Sequence, residues 1–468
     1  MNSIKNYLYF TVLLAVVTSC KLGEKYESPE FTREGLYRDV ESSDSTSIAD
    51  IPWSELFTDS TLQQLIQEGL DNNLNLQIAV ARIESAEASL SSAKGALFPN
   101  LSANGSAAKS KLASAPSAAT GFATQQFQLY ASASWEADIW GKLRSAKRSA
   151  LAQLLASESY RRAVQTRLIA DISTGYYTLL ALDKKLEITE LTVQSRVEYE
   201  ATVESLKDAS IVTGADLEQS RANLFAAQVT IPDLRTSIRE AENALSILLN
   251  RNPGPIEREA LETQEVTNNV ATGIPFLLLS NRPDVQQAEF GVRSSFEMVK
   301  NAHAYFYPSI NITGTAGFNS TDIEQFLDPT SFFARLAAGL TQPIFNQNLN
   351  KARLKAAEAS QTEALASYEQ TLLTAGQEVS NALFSFQMAD DKLEIRGNQI
   401  DALKNAVDYN QELLQYNSAN YVDVLTSQQN LLSAQLSIVD DQLQKLSSMV
   451  ELYRALGGGW KYEESASN

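Results

Sequence analysis

The sequence predicts an α+β membrane protein built as an internal tandem repeat, with very long helices and four short strands that each carry one apolar face. Three observations predict this class. The first is a duplication: Asp183-Lys-Lys-Leu-Glu-Ile188 recurs as Asp390-Asp-Lys-Leu-Glu-Ile395, and Ala222-Asn-Leu-Phe-Ala-Ala-Gln228 aligns with Gln429-Asn-Leu-Leu-Ser-Ala-Gln435 at the same offset of 207 residues. A repeat this long means one structural unit used twice. The second is the pair of proline-free stretches, from Pro116 to Pro232 and after Pro343, both rich in Ala, Leu, Gln, Glu and Ser. The third is a change of period, from helical spacing to strict alternation, in four segments of about ten residues.

The chain opens on Lys5, an apolar run from Leu8 to Val17 and the small residues Thr18-Ser19 before Cys20. This pattern is a secretory signal whose core is too short to span a membrane as a helix. Val17-Thr18-Ser19-Cys20 resembles a lipobox, which implies cleavage before Cys20 and lipidation of its sulfur, so residues 1–19 read as signal peptide and 20–60 as a lipid-anchored N-terminal segment.

Residues 61–250 form the first copy, with a leading helix from Thr61 to Leu97 and strands at about 100–109 and 125–137. In the second of these strands Phe127, Leu129, Ala131, Ala133 and Trp135 alternate with polar residues. From Leu143 to about Lys207, Leu151, Leu154, Leu155, Val164, Leu168, Ile172 and Leu179 recur at helical steps. A helix of that length extends roughly 100 Å. A return helix follows from Asp216 to Leu249, and residues 251–280 read as a linker. Residues 281–456 repeat the plan, with strands at about 309–318 and 331–342, and 457–468 form a tail.

Ten-residue strands with one apolar face fit a transmembrane barrel or a soluble sheet with one buried face. The lipobox and the lack of a helical segment placed to cover the sheet favour the barrel. Four strands cannot close, because about eight is the practical minimum and every edge in lipid must be paired. The chain is therefore expected to oligomerise.

Composition excludes other classes. One Cys and one His leave no material for disulfide frameworks, Cys/His metal clusters or most nucleophile–base pairs, so neither an enzyme nor a cofactor or metal site is expected. The net charge of −18 argues against a nucleic-acid partner and fits a self-repelling surface or an interior that favours cations. His303, alone before Pro308, reads as structural, and Tyr305-Phe306-Tyr307, Trp140 and Phe345 read as an interfacial aromatic girdle.

Trp135-Glu-Ala-Asp-Ile-Trp-Gly-Lys142 resembles the strand-to-helix junction of the TolC-like outer-membrane efflux protein family. Asn281-Arg-Pro-Asp-Val-Gln-Gln-Ala-Glu289, followed by Tyr305-Phe-Tyr-Pro-Ser-Ile-Asn-Ile-Thr-Gly314, is similar to the signature of its lipoprotein branch, which serves pumps of the resistance-nodulation-division (RND) type. The resemblance implies a homotrimer in the outer membrane of a Gram-negative bacterium. Twelve strands, four from each chain, would form one β-barrel, continuous with a twelve-helix periplasmic α-barrel. It implies a periplasmic adaptor and an inner-membrane RND transporter as partners, outer-membrane lipid around the barrel, and a belt formed by Ile231–Ser280, Lys21–Ser60 and the tail. The leading reading is a passive exit duct for drugs or other small molecules. A conduit for type I protein secretion and a lipid-anchored helical scaffold without a pore are the alternatives.

By the same resemblance the two helix–turn–helix tips carry the mechanism. Asp423, Val422, Asp216, Tyr416 and Thr426 are the expected periplasmic gate, and Ser210, Ile211, Asn417 and Ser418 the expected adaptor-docking tips. Three copies of such a carboxylate would make a ring of like charge that attracts cations and repels itself. Both aspartates could equally cap the return helices. The family usually has Gly where Ser210 and Asn417 stand, a gate tyrosine where Leu414 stands, and a second acid where Thr426 stands.

Overall fold

The structure, a computed structural model, describes residues 25–29, 47–111, 123–264, 281–416 and 421–461. Cys20, Asn417 and Ser418 lie outside the described residues. The chain is mostly helical with one four-stranded sheet. In order its main elements are α1 (Ser60–Asn72), α2 (Leu74–Gly95), β1 (Asn100–Lys111), β2 (Ala123–Ala137), α3 (Lys142–Asp208), α4 (Gly214–Leu248), α5 (Pro283–Ala304), β3 (Ser309–Ser320), β4 (Phe332–Thr341), α6 (Leu349–Gln415) and α7 (Tyr421–Ala455). The two long helices, α3 and α6, have 67 residues each, and the two return helices, α4 and α7, have 35 each. The duplication is thus equal in length as well as in sequence.

Local chemistry fixes the helix ends. Asp59 caps α1 by accepting from the Thr61 and Leu62 amides, and Asn73 Oδ1 accepts from the Asn75 and Leu76 amides at the start of α2. Pro283 opens α5, a position where its missing N–H has no helical partner to lose. Pro232 lies inside α4, which continues to Leu248. Proline there removes one helical hydrogen bond, but Gln228, whose carbonyl loses its donor, is exposed, so water can replace it.

The residues divide into two compact units. The first takes Arg82–Glu158 from one copy and Gln287–Glu369 from the other, and holds the sheet. Its strands run in the order β1-β2-β3-β4, all antiparallel, so β1 and β4 are the edges. The register aligns the alternating apolar residues of the four strands on one face, while Tyr130 and Phe333 lie on the other. Leu101, Ala103 and Gly105 oppose Ala133, Ala131 and Leu129. Leu129, Ala131, Ala133 and Trp135 oppose Phe318, Ala316, Gly314 and Ile312, which in turn oppose Phe332, Ala334, Leu336 and Ala338. The other face carries Ser102, Ser132, Thr315 and Arg335 in one row, with Ser102 and Ser132 hydroxyls 2.7 Å apart. A one-residue slip would invert both faces. Gly317 permits the closest strand approach, since a Cβ there would sit 2.2 Å from the Leu129 carbonyl oxygen. The apolar face is open to the surroundings: Leu336 is 81% exposed and Leu101 74%.

The second unit holds the hydrophobic core. Phe57, Leu62 and Ile66 from the N-terminal side pack with Ile169, Ile172, Tyr176, Leu179 and Leu180 of α3, Leu245 of α4, and Met449, Leu452 and Tyr453 of α7. Gly175 lies where a Cβ would meet Leu245 at 2.8 Å, which gives this mid-helix glycine a packing reason. Two core tyrosines have their hydroxyls matched: Tyr176 Oη donates to Asp59 at 2.6 Å and accepts from the Glu259 amide, while Tyr453 Oη donates to the Ile51 carbonyl.

Candidate functional site

Two regions carry candidate functional chemistry: the strand-to-helix junctions of the first unit and the helical tips of the second. At the junction after β2, Trp135 Nε1 donates to the Leu97 carbonyl at 2.9 Å and Lys142 pairs with Glu136 at 2.5 Å. Asp138 accepts from the Leu143 and Arg144 amides, starting α3, and Gly141 takes φ +76°, a left-handed turn that favours glycine. Trp140 Nε1 donates to the Pro308 carbonyl at 2.7 Å while its ring stacks on Tyr307, centroids 4.9 Å apart. The Arg353 guanidinium lies 3.8 Å over the Tyr305 ring. Trp140, Tyr305 and Tyr307 therefore gather at one junction, whereas Phe345 stays 82% exposed.

In the second unit, Arg282 is 3% exposed and reaches Asp284 at 2.6 Å, Glu378 at 2.8 Å and the Ala455 carbonyl at 2.8 Å. Burial works against its charge, but the two carboxylates win and hold the guanidinium above its ordinary pKa. Asp284 shows the mirror image. Burial would raise its pKa, and the hydrogen bonds and charge of Arg282 overcome that and bring it below the usual carboxylate value. Glu378 also meets Arg454, so one carboxylate of α6 ties α7 to the start of α5. The first copy has a counterpart: Arg258 bridges Asp183 of α3 and Glu242 of α4.

At the first tip α3 ends with Ser210 at φ +59°. The Ile211 amide donates to the Leu206 carbonyl and the Ser210 amide to the Lys207 carbonyl, the Schellman arrangement in which glycine usually sits. Thr213 caps α4, and the Asp216 carboxylate accepts from the Thr213 amide and hydroxyl, closing a capping box. Asp216 therefore acts from the third helical position, and Thr213 is the cap. The Thr213-x-x-Asp216 spacing was the signal for it. Arg221, missed by sequence reasoning, bridges across the hairpin to Glu200 at 2.8 Å and along its own helix to Glu218 at 3.0 Å.

At the second tip Val422, Asp423, Thr426 and Tyr416 are exposed. Thr426 Oγ1 donates back to the Val422 carbonyl, and Asn410 Nδ2 donates to the Asp423 carbonyl at 3.4 Å. Leu414 and Val424 are buried. Leu425 of this tip packs on Val203 and Leu217 of the first, so the two tips are joined by an apolar contact. Among the described residues no group of His, Cys, Asp and Glu could hold a metal ion, and no helix is long and apolar enough to cross a membrane.

Known proteins share this plan. The family model "Outer membrane efflux protein" matches residues 65–251 and 274–458. The solvent efflux pump outer membrane protein SrpC of Pseudomonas putida is 30% identical, over 97% of this chain and 98% of its own. The probable outer membrane lipoprotein SilC of Salmonella typhimurium is 27% identical, over 88% and 89%. The crystal structure of the open state of the Neisseria gonorrhoeae MtrE outer membrane channel superposes with a TM-score of 0.84 at 26% identity, covering 94% of this chain and 99% of that one. Duplicated halves, a four-stranded sheet with an open apolar face, and long paired helices are thus features of a known group, and the chain belongs to the outer membrane efflux protein family.

Proposed function

We propose that the protein is the exit duct of an RND-type tripartite pump, working as a homotrimer that passes small molecules through the outer membrane without chemistry of its own. The observation that carries this reading is the unbroken apolar face in register across all four strands, with a polar face behind it. In lipid such a sheet needs both edges paired, and three chains in a ring would pair them as a twelve-stranded barrel. Twelve helices would continue the passage into the periplasm, where an adaptor docks at Ser210, Ile211, Asn417 and Ser418 and an inner-membrane transporter supplies the energy. Lipidation at Cys20 would hold the N-terminus at the same membrane.

Within this reading the exposed Val422 and Asp423 form the periplasmic constriction, with Tyr416 and Thr426 beside them. Asp216, engaged in its capping box, adds charge from a fixed position. Planar-bilayer recording tests the duct: small steady conductance is expected from the wild type and a larger one from Asp423→Ala. No conductance from either would sink it. Drug accumulation together with normal protein secretion in a deletion strain separates an efflux duct from a secretion conduit. Palmitate labelling that persists in Cys20→Ser would refute the anchor.

A further inference from the structure

The first unit contains a cavity of about 930 Å³ immediately beside the strand ends. Five cationic side chains line it, Lys25, Arg144, Arg148, Arg293 and Lys300, against the single carboxylate of Glu297. This is a reversal of sign in a chain of net charge −18. We propose that the cavity binds the headgroup of an anionic phospholipid of the inner leaflet, of the phosphatidylglycerol kind, next to the barrel. The assignment rests on the reading that the strands cross the outer membrane.

Three features argue for a lipid headgroup. The first is position. Ile139 and Trp140, which follow β2 directly, line the cavity together with Tyr307, two residues before β3, so the cavity opens at the level where the strands end. The stacked Trp140 and Tyr307 rings have the amphipathic character suited to a headgroup layer. The second is charge. Asp138 is committed to Arg144 and one oxygen of Glu297 to Arg148, at 2.8 Å, while the Arg293 guanidinium faces the ring of Tyr26 at 5.9 Å. Five cations thus line the cavity with one lining carboxylate, and a phosphodiester would add a second anion.

The third feature is the other oxygen of Glu297. The residue is 4% exposed, and its Oε2 is buried with no hydrogen-bond partner among the described residues. A buried carboxylate oxygen needs a donor. The phosphodiester itself has no O–H to donate, whereas the glycerol hydroxyls of the headgroup can reach Glu297 while the phosphate meets the cations. Lys25 also stands only five residues after Cys20, at most about 17 Å of extended chain from the lipidation site.

Native mass spectrometry of the full-length protein, with phosphatidylglycerol and phosphatidylcholine at equal concentration, tests the site. Phosphatidylglycerol should be retained in preference, and Lys25→Gln/Arg293→Gln should reduce that retention about tenfold. The charge-matched Lys94→Gln/Lys147→Gln, outside the cavity, should retain it. Equal retention by both double variants would overturn the assignment. Displacement of the lipid by equimolar inorganic phosphate would identify a soluble-anion site and also overturn it. Bilayer conductance of the wild type separates the two levels of failure. Protein that conducts without lipid preference overturns the cavity alone, and protein that does not insert overturns the membrane reading with it.

Discussion

The two helical hairpins, α3–α4 and α6–α7, have equal lengths and are clamped in the same way at their core ends, yet they differ at their tips. At the core end each hairpin is crossed by an arginine–carboxylate bridge: Asp183–Arg258–Glu242 in the first copy and Arg282–Glu378–Arg454 in the second. At the tip of the first hairpin, Arg221 pairs across to Glu200 and a capping box fixes the turn. The residues one repeat further on are Gln428 and Val407, which cannot form that bridge. The second tip instead buries Leu414 and Val424 and leaves Asp423 and Val422 exposed. Duplication gave two levers of one length. Divergence left the first with an arginine–glutamate bridge across its end that Gln428 and Val407 cannot form in the second.

The largest effect is expected at the shared clamp. Arg282→Ala would leave Asp284 and Glu378 without their buried partner and should cost about 3–5 kcal/mol, read as a lowered thermal midpoint. The same clamp sets a pH dependence. The Asp284 pKa is depressed in the fold, so its contribution is complete above the unfolded carboxylate value of about 3.9 and is lost as pH falls through the lower folded value. Acid titration of the wild type should therefore show destabilisation below that range, and Asp284→Asn should lose it.

The next effect lies at the apolar contact between the tips. Leu217→Ala should cost roughly 2–4 kcal/mol and speed amide exchange in both tips, because Leu425 packs on the same cluster. If only the first tip responds, the two are not coupled. Smaller still is Ser210→Gly, which relieves a left-handed serine and should stabilise the first turn by about 1 kcal/mol. Arg221→Gln copies the second tip into the first, and should bring its exchange rates toward those of α6–α7 without moving the global midpoint. Unchanged rates would mean the bridge does not brace the tip.

Much of the fold is legible because its signals are local. Proline-free helical spacing and strict alternation each report the geometry of their own segment, and the offset of 207 residues between copies reports the pseudo-symmetry. The misses share a cause, which is that a neighbour's contribution outweighs local preference. Ser210 takes a glycine conformation because the Leu206 and Lys207 carbonyls accept hydrogen bonds there. The cations of the cavity could not be seen together, since Arg144 and Arg293 are 149 residues apart and meet only through the fold. The tip aspartates are equivalent by alignment, but only the structure shows Asp216 held in a capping box.

The two open edges of the sheet bear on inheritance as much as on architecture. A chain whose β4 edge is spoiled, by proline at Leu336 for example, still has a sound β1 edge and can join a ring through it. In the proposed trimer that chain would take two intact partners out of service. Edge-strand alleles should therefore be dominant over a wild-type copy expressed alongside them, while alleles that prevent the helical core from folding should be recessive, because such chains never reach the ring.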